Sequence, residues 1–180
     1  MDEKKLIEQM KRGSHQAMEE WIAYYYGSVY HFLYCKCQDD ALAKDLCQEV
    51  FIAFIRDLPT YKFQEKSLNY LFRVASHRYY DVLRKRKRMA VLAFDESYDY
   101  HANEKTDDSL LKYCDDDYLE KLIGDLMPPY LQDIIILHYF HGWTLKEIAE
   151  AMDVPLSTMK SRHQRALKLL RQAIEEDYHE

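Results

Sequence analysis

Residues Thr144–Lys168 read TLKEIAEAMDVPLSTMKSRHQRALK. Thr144 and Glu147 stand three apart ahead of an apolar series. That is the spacing of a capping box, in which the threonine hydroxyl and the glutamate carboxylate each satisfy an orphan backbone N–H. Leu145, Ile148, Ala149 and Met152 then recur at helical period and face inward. Asp153-Val154-Pro155-Leu156 reads as a short turn, and Ser157 as the cap of a second helix with Met159, Ala166 and Leu170 inward. Two short helices joined by such a turn are the helix-turn-helix pattern. An ordinary helical hairpin has the same period, so period alone leaves both readings open. The start of the second helix favours DNA: Ser157, Thr158, Lys160, Ser161, Arg162 and Arg165 are hydroxyl and basic side chains where such a helix meets bases and phosphates.

Upstream, Leu119, Leu122, Ile123 and Leu126 predict a helix from Tyr118. Pro128-Pro129 ends it and opens another, through Ile134, Ile135, Leu137 and Phe140 to a left-handed stop at Gly142. Between about Met89 and Asp117 the periodicity fades. Acids crowd this stretch (Asp95, Glu96, Asp99, Glu104, Asp107, Asp108, Asp115, Asp116, Asp117), and it reads as a linker.

The N-terminal part is helical by the same reasoning. Leu6, Ile7 and Met10 share a face up to Gly13. Ser14 caps a helix carrying Met18, Trp21, Ile22, Tyr25, Val29, Phe32 and Leu33. A third helix starts at Asp39-Asp40, carboxylates that suit a helix N-terminus, and shows Leu42, Leu46, Val50 and Phe54 until Pro59 stops it. Tyr61–Ser67 reads as a loop, and a helix over 68–88 turns Leu71, Val74, Ala75, Val82 and Leu83 inward. The chain is therefore expected to be all-α: two small helical domains, 1–88 and 118–180, joined by an acidic linker, 89–117. Four glycines and four prolines in 180 residues leave little room for the turns of an all-β fold.

A formal net charge of −6 argues against indiscriminate nucleic-acid binding, but distribution matters more than the sum. Cations gather in two patches, Arg73, Arg78 and Arg84–Arg88, and Lys160, Arg162, Arg165, Lys168 and Arg171. A few well-placed cations release enough counterions to bind DNA. No run approaches the roughly 18 apolar residues that span a bilayer. MDEKKLIEQMKRG holds no apolar leader region, so a cytoplasmic protein with reduced thiols and no membrane insertion is expected. Cys35, Cys37, Cys47 and Cys114 lack metal-ligand spacing and read as ordinary packed thiols.

Taken in order, these segments resemble a known family. Asp39–Phe51 (DDALAKDLCQEVF) is similar to region 2.2 of bacterial sigma-70-family factors. Asn69–His77 (NYLFRVASH), running through Asp81 into the Arg84–Arg88 run, is similar to regions 2.3 and 2.4. Leu126–Arg171 resembles region 4. A chain too short for regions 1.1 and 3 points to the extracytoplasmic-function (ECF, group IV) subfamily.

The resemblance implies an initiation factor that binds core RNA polymerase and directs it to promoters, with no catalytic residues, cofactor or metal. Its implied partners are the polymerase β′ coiled coil and β flap, promoter DNA, and an anti-sigma factor. Asp45, Gln48, Glu49 and Arg56 are the polymerase-facing positions implied on the region 2.2 helix; without the resemblance they read as a solvated face. Tyr61, Phe63 and Tyr70, with Arg73, His77, Arg78, Arg84, Lys85 and Arg86, are implied to melt and hold the −10 element. Aromatics stack on freed bases while cations hold the backbone. Phe72 and Tyr79 read as core or stay unassigned. Ser157–Arg165 is then the −35 reader, and the acidic linker either mimics nucleic acid in a polymerase channel or keeps a flexible connector soluble.

This chain departs from the family at three places. Tyr70 stands where a Trp is common, Ser76-His77 where an Arg-Asn pair is common, and His163 where an apolar residue is usual. His163 is expected to pack with its polar edge at the rim. The rival reading is a stand-alone helix-turn-helix regulator, which would need no polymerase of its own. Enzymatic pairs such as Cys47 with Glu49 or Cys35 with His31 have no organising motif.

Overall fold

The computed structural model describes residues 2–63, 67–89 and 116–177, and these form helices without strands. The acids from Asp95 to Asp115, and Cys114, lie outside the described residues. The chain divides into two compact units, 1–83 and 84–180.

The first unit starts with α1 (Glu3–Lys11), which buries Leu6, Ile7 and Met10. Then α2 (His15–Cys37) is capped by Ser14, whose hydroxyl accepts from Ala17 N at 3.2 Å. It ends at Gln38, whose φ of +50° is left-handed. Glycine usually takes that position; here the Gln38 side chain holds the turn by donating to the Cys35 carbonyl at 3.1 Å. Asp39 caps α3 (Asp40–Asp57) by accepting from Leu42 N at 3.1 Å. The core forms where α2 meets α3: Trp21 lies parallel to Phe54, with ring centroids 4.1 Å apart, and Phe51 meets it edge-on at 5.9 Å. Each such buried side chain contributes about 1.5–3 kcal/mol by leaving water.

Helix α4 (Ser67–Met89) closes this core through Leu71, Phe72 and Ala75, all fully buried, with Phe72 4.8 Å from Phe32. Val74, Val82 and Leu83, expected inward, are half-buried. The Ser67 N–H finds its acceptor far away in sequence, at Glu3 Oε1 of α1, 2.8 Å distant.

In the second unit α5 (Asp116–Asp125) buries Leu119 and Ile123. Gln132 closes its end, donating to the carbonyls of Gly124 at 2.9 Å and Leu126 at 3.1 Å. Helix α6 (Tyr130–Ile135) runs on into a π turn, Ile136–Phe140, which the apolar period does not announce. Local bonds to the residues that follow close that turn: His138 Nδ1–H donates to the Trp143 carbonyl at 2.6 Å, and Trp143 N to the Leu137 carbonyl at 3.0 Å. Gly142 follows at φ +68°. The capping box of α7 (Leu145–Ala151) is complete, with Glu147 N to Thr144 Oγ1 at 3.2 Å and Thr144 N to Glu147 Oε2 at 2.9 Å.

A turn with Asp153 at φ +54° leads into α8 (Leu156–Asp177). Here the expected cap moves. Met159 N bonds to the Pro155 carbonyl at 3.0 Å, so the helix starts at Leu156 and Ser157 sits in its first turn instead of capping it. Met159, Ala166, Leu167, Leu170 and Ile174 form the buried stripe of α8.

Candidate nucleic-acid interface

The stripe fixes which side chains α8 can offer to a partner. Ser157 and Lys160 are exposed; Thr158, Ser161, Arg162 and Arg165 are half-buried on its flanks and outer face. Ser161 Oγ donates to the Ser157 carbonyl at 3.2 Å, a back-bond inside the helix. Arg162 leans toward α6, its guanidinium 4.3 Å from the centre of the Tyr130 ring. His163 is half-buried, stacked on Tyr139 with centroids 5.9 Å apart, and its Nε2 lies 3.2 Å from the Tyr139 hydroxyl. This is the packed, rim-facing histidine the sequence leads one to expect.

In the first unit, rings from α3, α4 and the loop between them meet. Phe54, Tyr61 and Tyr70 lie mutually edge to face, with centroid distances of 5.0, 5.6 and 5.5 Å. Phe54 is fully buried and forms the floor, while Tyr61 and Tyr70 are half-buried above it. Tyr70 donates its hydroxyl to Asp57 Oδ2 at 2.7 Å. Burial first, and then that bond, push its phenol up to about 12. The exposed Arg73 guanidinium sits 5.9 Å from the Tyr70 ring centre. Cations and π faces are therefore adjacent, as stacking on a freed base requires. Phe63 is half-buried and His77 exposed, while Arg84, Lys85 and Arg86 stand exposed toward the C-terminal end of α4. Phe72 and Tyr79 are core residues.

On α3, Asp45, Gln48, Glu49 and Arg56 are all exposed on one side. Glu49 Oε2 lies 3.8 Å from Arg78 Nε, a contact that links this set to α4. Among these polar residues stands Ile52, 65% exposed. It falls off the Leu42–Phe54 stripe, and that displacement is the signal a sequence reading could have used. A single exposed aliphatic side chain is common on protein surfaces, so Ile52 gains interest only from its place among these polar residues.

Lys36 is a second residue that the pattern hides. It is 1% exposed, with its ammonium 5.1, 5.0 and 4.7 Å from the ring centres of Phe32, Tyr79 and Tyr80. The Tyr79 hydroxyl donates to the Lys36 carbonyl at 2.7 Å, so this cage fastens α2 to α4. Cys35 and Cys47 are buried and Cys37 half-buried. Burial pushes the Cys47 thiol up to about 11, which makes it a packed thiol and not a reactive one. Cys35 Sγ lies 3.6 Å from His31 Nε2, one turn away on the same helix. Among the described residues no helix is long and apolar enough to cross a membrane.

Comparison with known proteins gives two family matches, sigma-70 region 2 over residues 21–89 and sigma-70 region 4 over 124–170. The RNA polymerase sigma factor SigV of Bacillus subtilis is 35% identical over 140 residues, covering 78% of this chain and 79% of that one. The ECF RNA polymerase sigma factor SigW of the same organism is 26% identical over 180 residues, covering 95% and 96%. Among solved structures, CnrH in complex with the cytosolic domain of CnrY matches with a TM-score of 0.69 at 17% identity, covering 96% of each chain. The sigma factor RpoE bound to the anti-sigma factor NepR from Bartonella quintana gives 0.66 at 17% identity, covering 87% of this chain and 96% of that one. At these identities the two structures bear on the fold alone.

Proposed function

The chain belongs to the sigma-70 family, in its extracytoplasmic-function group, and on that premise we propose which of its faces meets each partner. It is a transcription initiation factor that binds core RNA polymerase and directs it to promoters. It works where polymerase and chromosome are, in the cytoplasm.

The α3 face of Asp45, Gln48, Glu49 and Arg56, with Ile52 added, is the polymerase surface, and it meets the β′ coiled coil. An exposed aliphatic side chain ringed by polar ones matches the composition of a contact patch, an apolar centre with a wet rim. The second unit takes the β flap and the −35 duplex. Ser157, Thr158, Lys160, Ser161, Arg162 and Arg165 read or clamp that duplex from α8. Tyr61, Phe63 and Tyr70, with Arg73, His77, Arg78, Arg84, Lys85 and Arg86, melt and hold the −10 strand. The observation that carries this assignment is the ring cluster of Tyr61 and Tyr70 beside Arg73, a stacking platform next to a cation. An anti-sigma factor is a further partner, as membership of the family implies; the Bartonella protein was solved with one.

The test is transcription in vitro. With purified core polymerase and no other factor, this protein supports initiation at a promoter mapped from its own transcript starts. Transcription only when another sigma factor is present would make it a stand-alone regulator. Single substitutions of Tyr70 and Arg73 to Ala are expected to lower initiation on duplex DNA while polymerase binding stays intact.

A further inference from the structure

Helix α4 starts in the protein interior: Ser67 is fully buried. A buried N–H at a helix start needs an acceptor, and capping side chains normally supply it from the residue just before. Here it comes from α1, where the Glu3 carboxylate accepts from Ser67 N at 2.8 Å. A carboxylate at that end also meets the positive pole of the helix dipole. Two turns further along α1, Lys11 Nζ donates to the carbonyl of Tyr61 at 2.6 Å. One short helix thus holds the connection between α3 and α4 at Tyr61 and at its far end, Ser67.

That connection carries Tyr61 and Phe63. Helix α1 is itself anchored, because Leu6, Ile7 and Met10 are buried. Its position ahead of residue 21 puts it outside the matched sigma-70 region 2. Glu3 also bears on the neighbouring rings. Burial first, and the Glu3 charge after it, raise the Tyr25 phenol above its ordinary value, and the same charge adds to the burial that raises Tyr61. Opening a promoter requires an acceptor for the first unstacked base, and an acceptor ordered beforehand does not lose that freedom at the moment of capture.

We propose that Glu3 and Lys11 are positioning residues for promoter opening, through which α1 holds the loop that presents Tyr61 and Phe63 to the freed −10 strand, at Tyr61 itself and at Ser67. This rests on the assignment of Tyr61 and Phe63 to −10 capture. The clamp acts only on the opening step, so polymerase affinity and −35 binding are independent of it.

The experiment uses the full chain with core polymerase, in five variants: Glu3→Ala, Glu3→Gln, Lys11→Met, the double Glu3→Ala/Lys11→Met, and Phe63→Ala. Core-polymerase affinity is measured for each, together with opening rates on a duplex promoter and on the same promoter with a pre-melted −10 segment. Glu3→Ala and Lys11→Met are expected to slow duplex opening, the double variant by about an order of magnitude, with polymerase affinity unchanged. Glu3→Gln keeps an acceptor and should recover most of the rate. On pre-melted DNA the deficit should shrink to about twofold or less. Equal losses on both templates, or weakened polymerase binding, would make α1 a plain structural support and overturn the proposal. So would a clear defect in Phe63→Ala with none in the double variant. Normal opening by Phe63→Ala would instead remove the capture reading beneath the clamp.

Discussion

The guanidinium of Arg162 rests 4.3 Å from the centre of the Tyr130 ring, so a side chain assigned to the −35 element is braced against the helix behind it. A cation over an aromatic face gains about 0.5–2 kcal/mol depending on how dry the site is, enough to hold one rotamer of a flexible side chain. Arg162→Ala is expected to weaken binding to a promoter −35 duplex by about 1–3 kcal/mol if it makes bidentate base contacts. Tyr130→Leu should cost less and relax preference at the same base pair. Fluorescence anisotropy with promoter and scrambled duplexes checks both. An equal loss on the two duplexes would give Arg162 to a phosphate, or to the packing of α8 on α6.

Tyr70 and Asp57 make a pH-dependent pair. The Tyr70 hydroxyl first, and Arg56 second, hold the Asp57 carboxyl below the usual carboxylate range. A depressed acid contributes stability that is present above its unfolded value, about 3.9, and lost as pH falls through the lowered one. The raised tyrosine behaves oppositely: its contribution is whole below about 10 and fades as pH climbs toward about 12. Tyr70→Phe removes the tyrosine's contribution and the hydroxyl's share of the aspartate's, leaving the Arg56 contact in place. The gap in melting temperature between wild type and variant should therefore be widest from about pH 4 to pH 10 and narrow on either side. A gap constant with pH would rule out this pair as its source.

The Thr144 cap supports the helix-turn-helix directly. Thr144→Ala should destabilise the second unit by about 1 kcal/mol, within a range of roughly 0.5–2, and Thr144→Ser should restore most of it. Trp143, buried beside the cap, reports that unit's urea transition by fluorescence once Trp21→Phe silences the other of the two tryptophans. A transition that does not shift would mean that packing of Ile148 and Ala149 holds α7 without its cap.

What could be read from the chain alone depended on how local its cause was. Ser14, Asp39 and Thr144 bond to N–H groups three residues on, so their spelling announces their role. The start of α8 shifts by two residues because the Pro155 carbonyl, which no side-chain pattern marks, takes the first helical bond. The π turn at Ile136–Phe140 depends on His138 reaching the Trp143 carbonyl, which an apolar period cannot foretell. Lys36 defies the rule that lysines stay wet, because its cage joins Phe32 to Tyr79 and Tyr80 from another helix. The bond from Ser67 to Glu3 spans 64 positions and leaves no mark in either neighbourhood. The candidate site residues stand out in the sequence only as residue types in order; the groups that brace them, Tyr130, Asp57 and Glu3, become visible only in the fold.

His163 shows how such bracing explains a departure from the family pattern. Its ring stacks on Tyr139 at an interplanar angle of 18°, shares a 3.2 Å contact with that hydroxyl, and meets the edge of His138 at 5.2 Å. An apolar residue would fill the volume but could not answer the hydroxyl. His163→Leu is therefore expected to destabilise the second unit by about 0.5–1.5 kcal/mol, the net worth of one hydrogen bond. Adding Tyr139→Phe should return most of that loss, so the double-mutant cycle reads a coupling of the same size. Affinity for the −35 duplex, measured well below the melting temperature, should stay at the wild-type value in all three variants. A drop in affinity without a matching drop in stability would move His163 from the packing of α8 to its DNA-facing side.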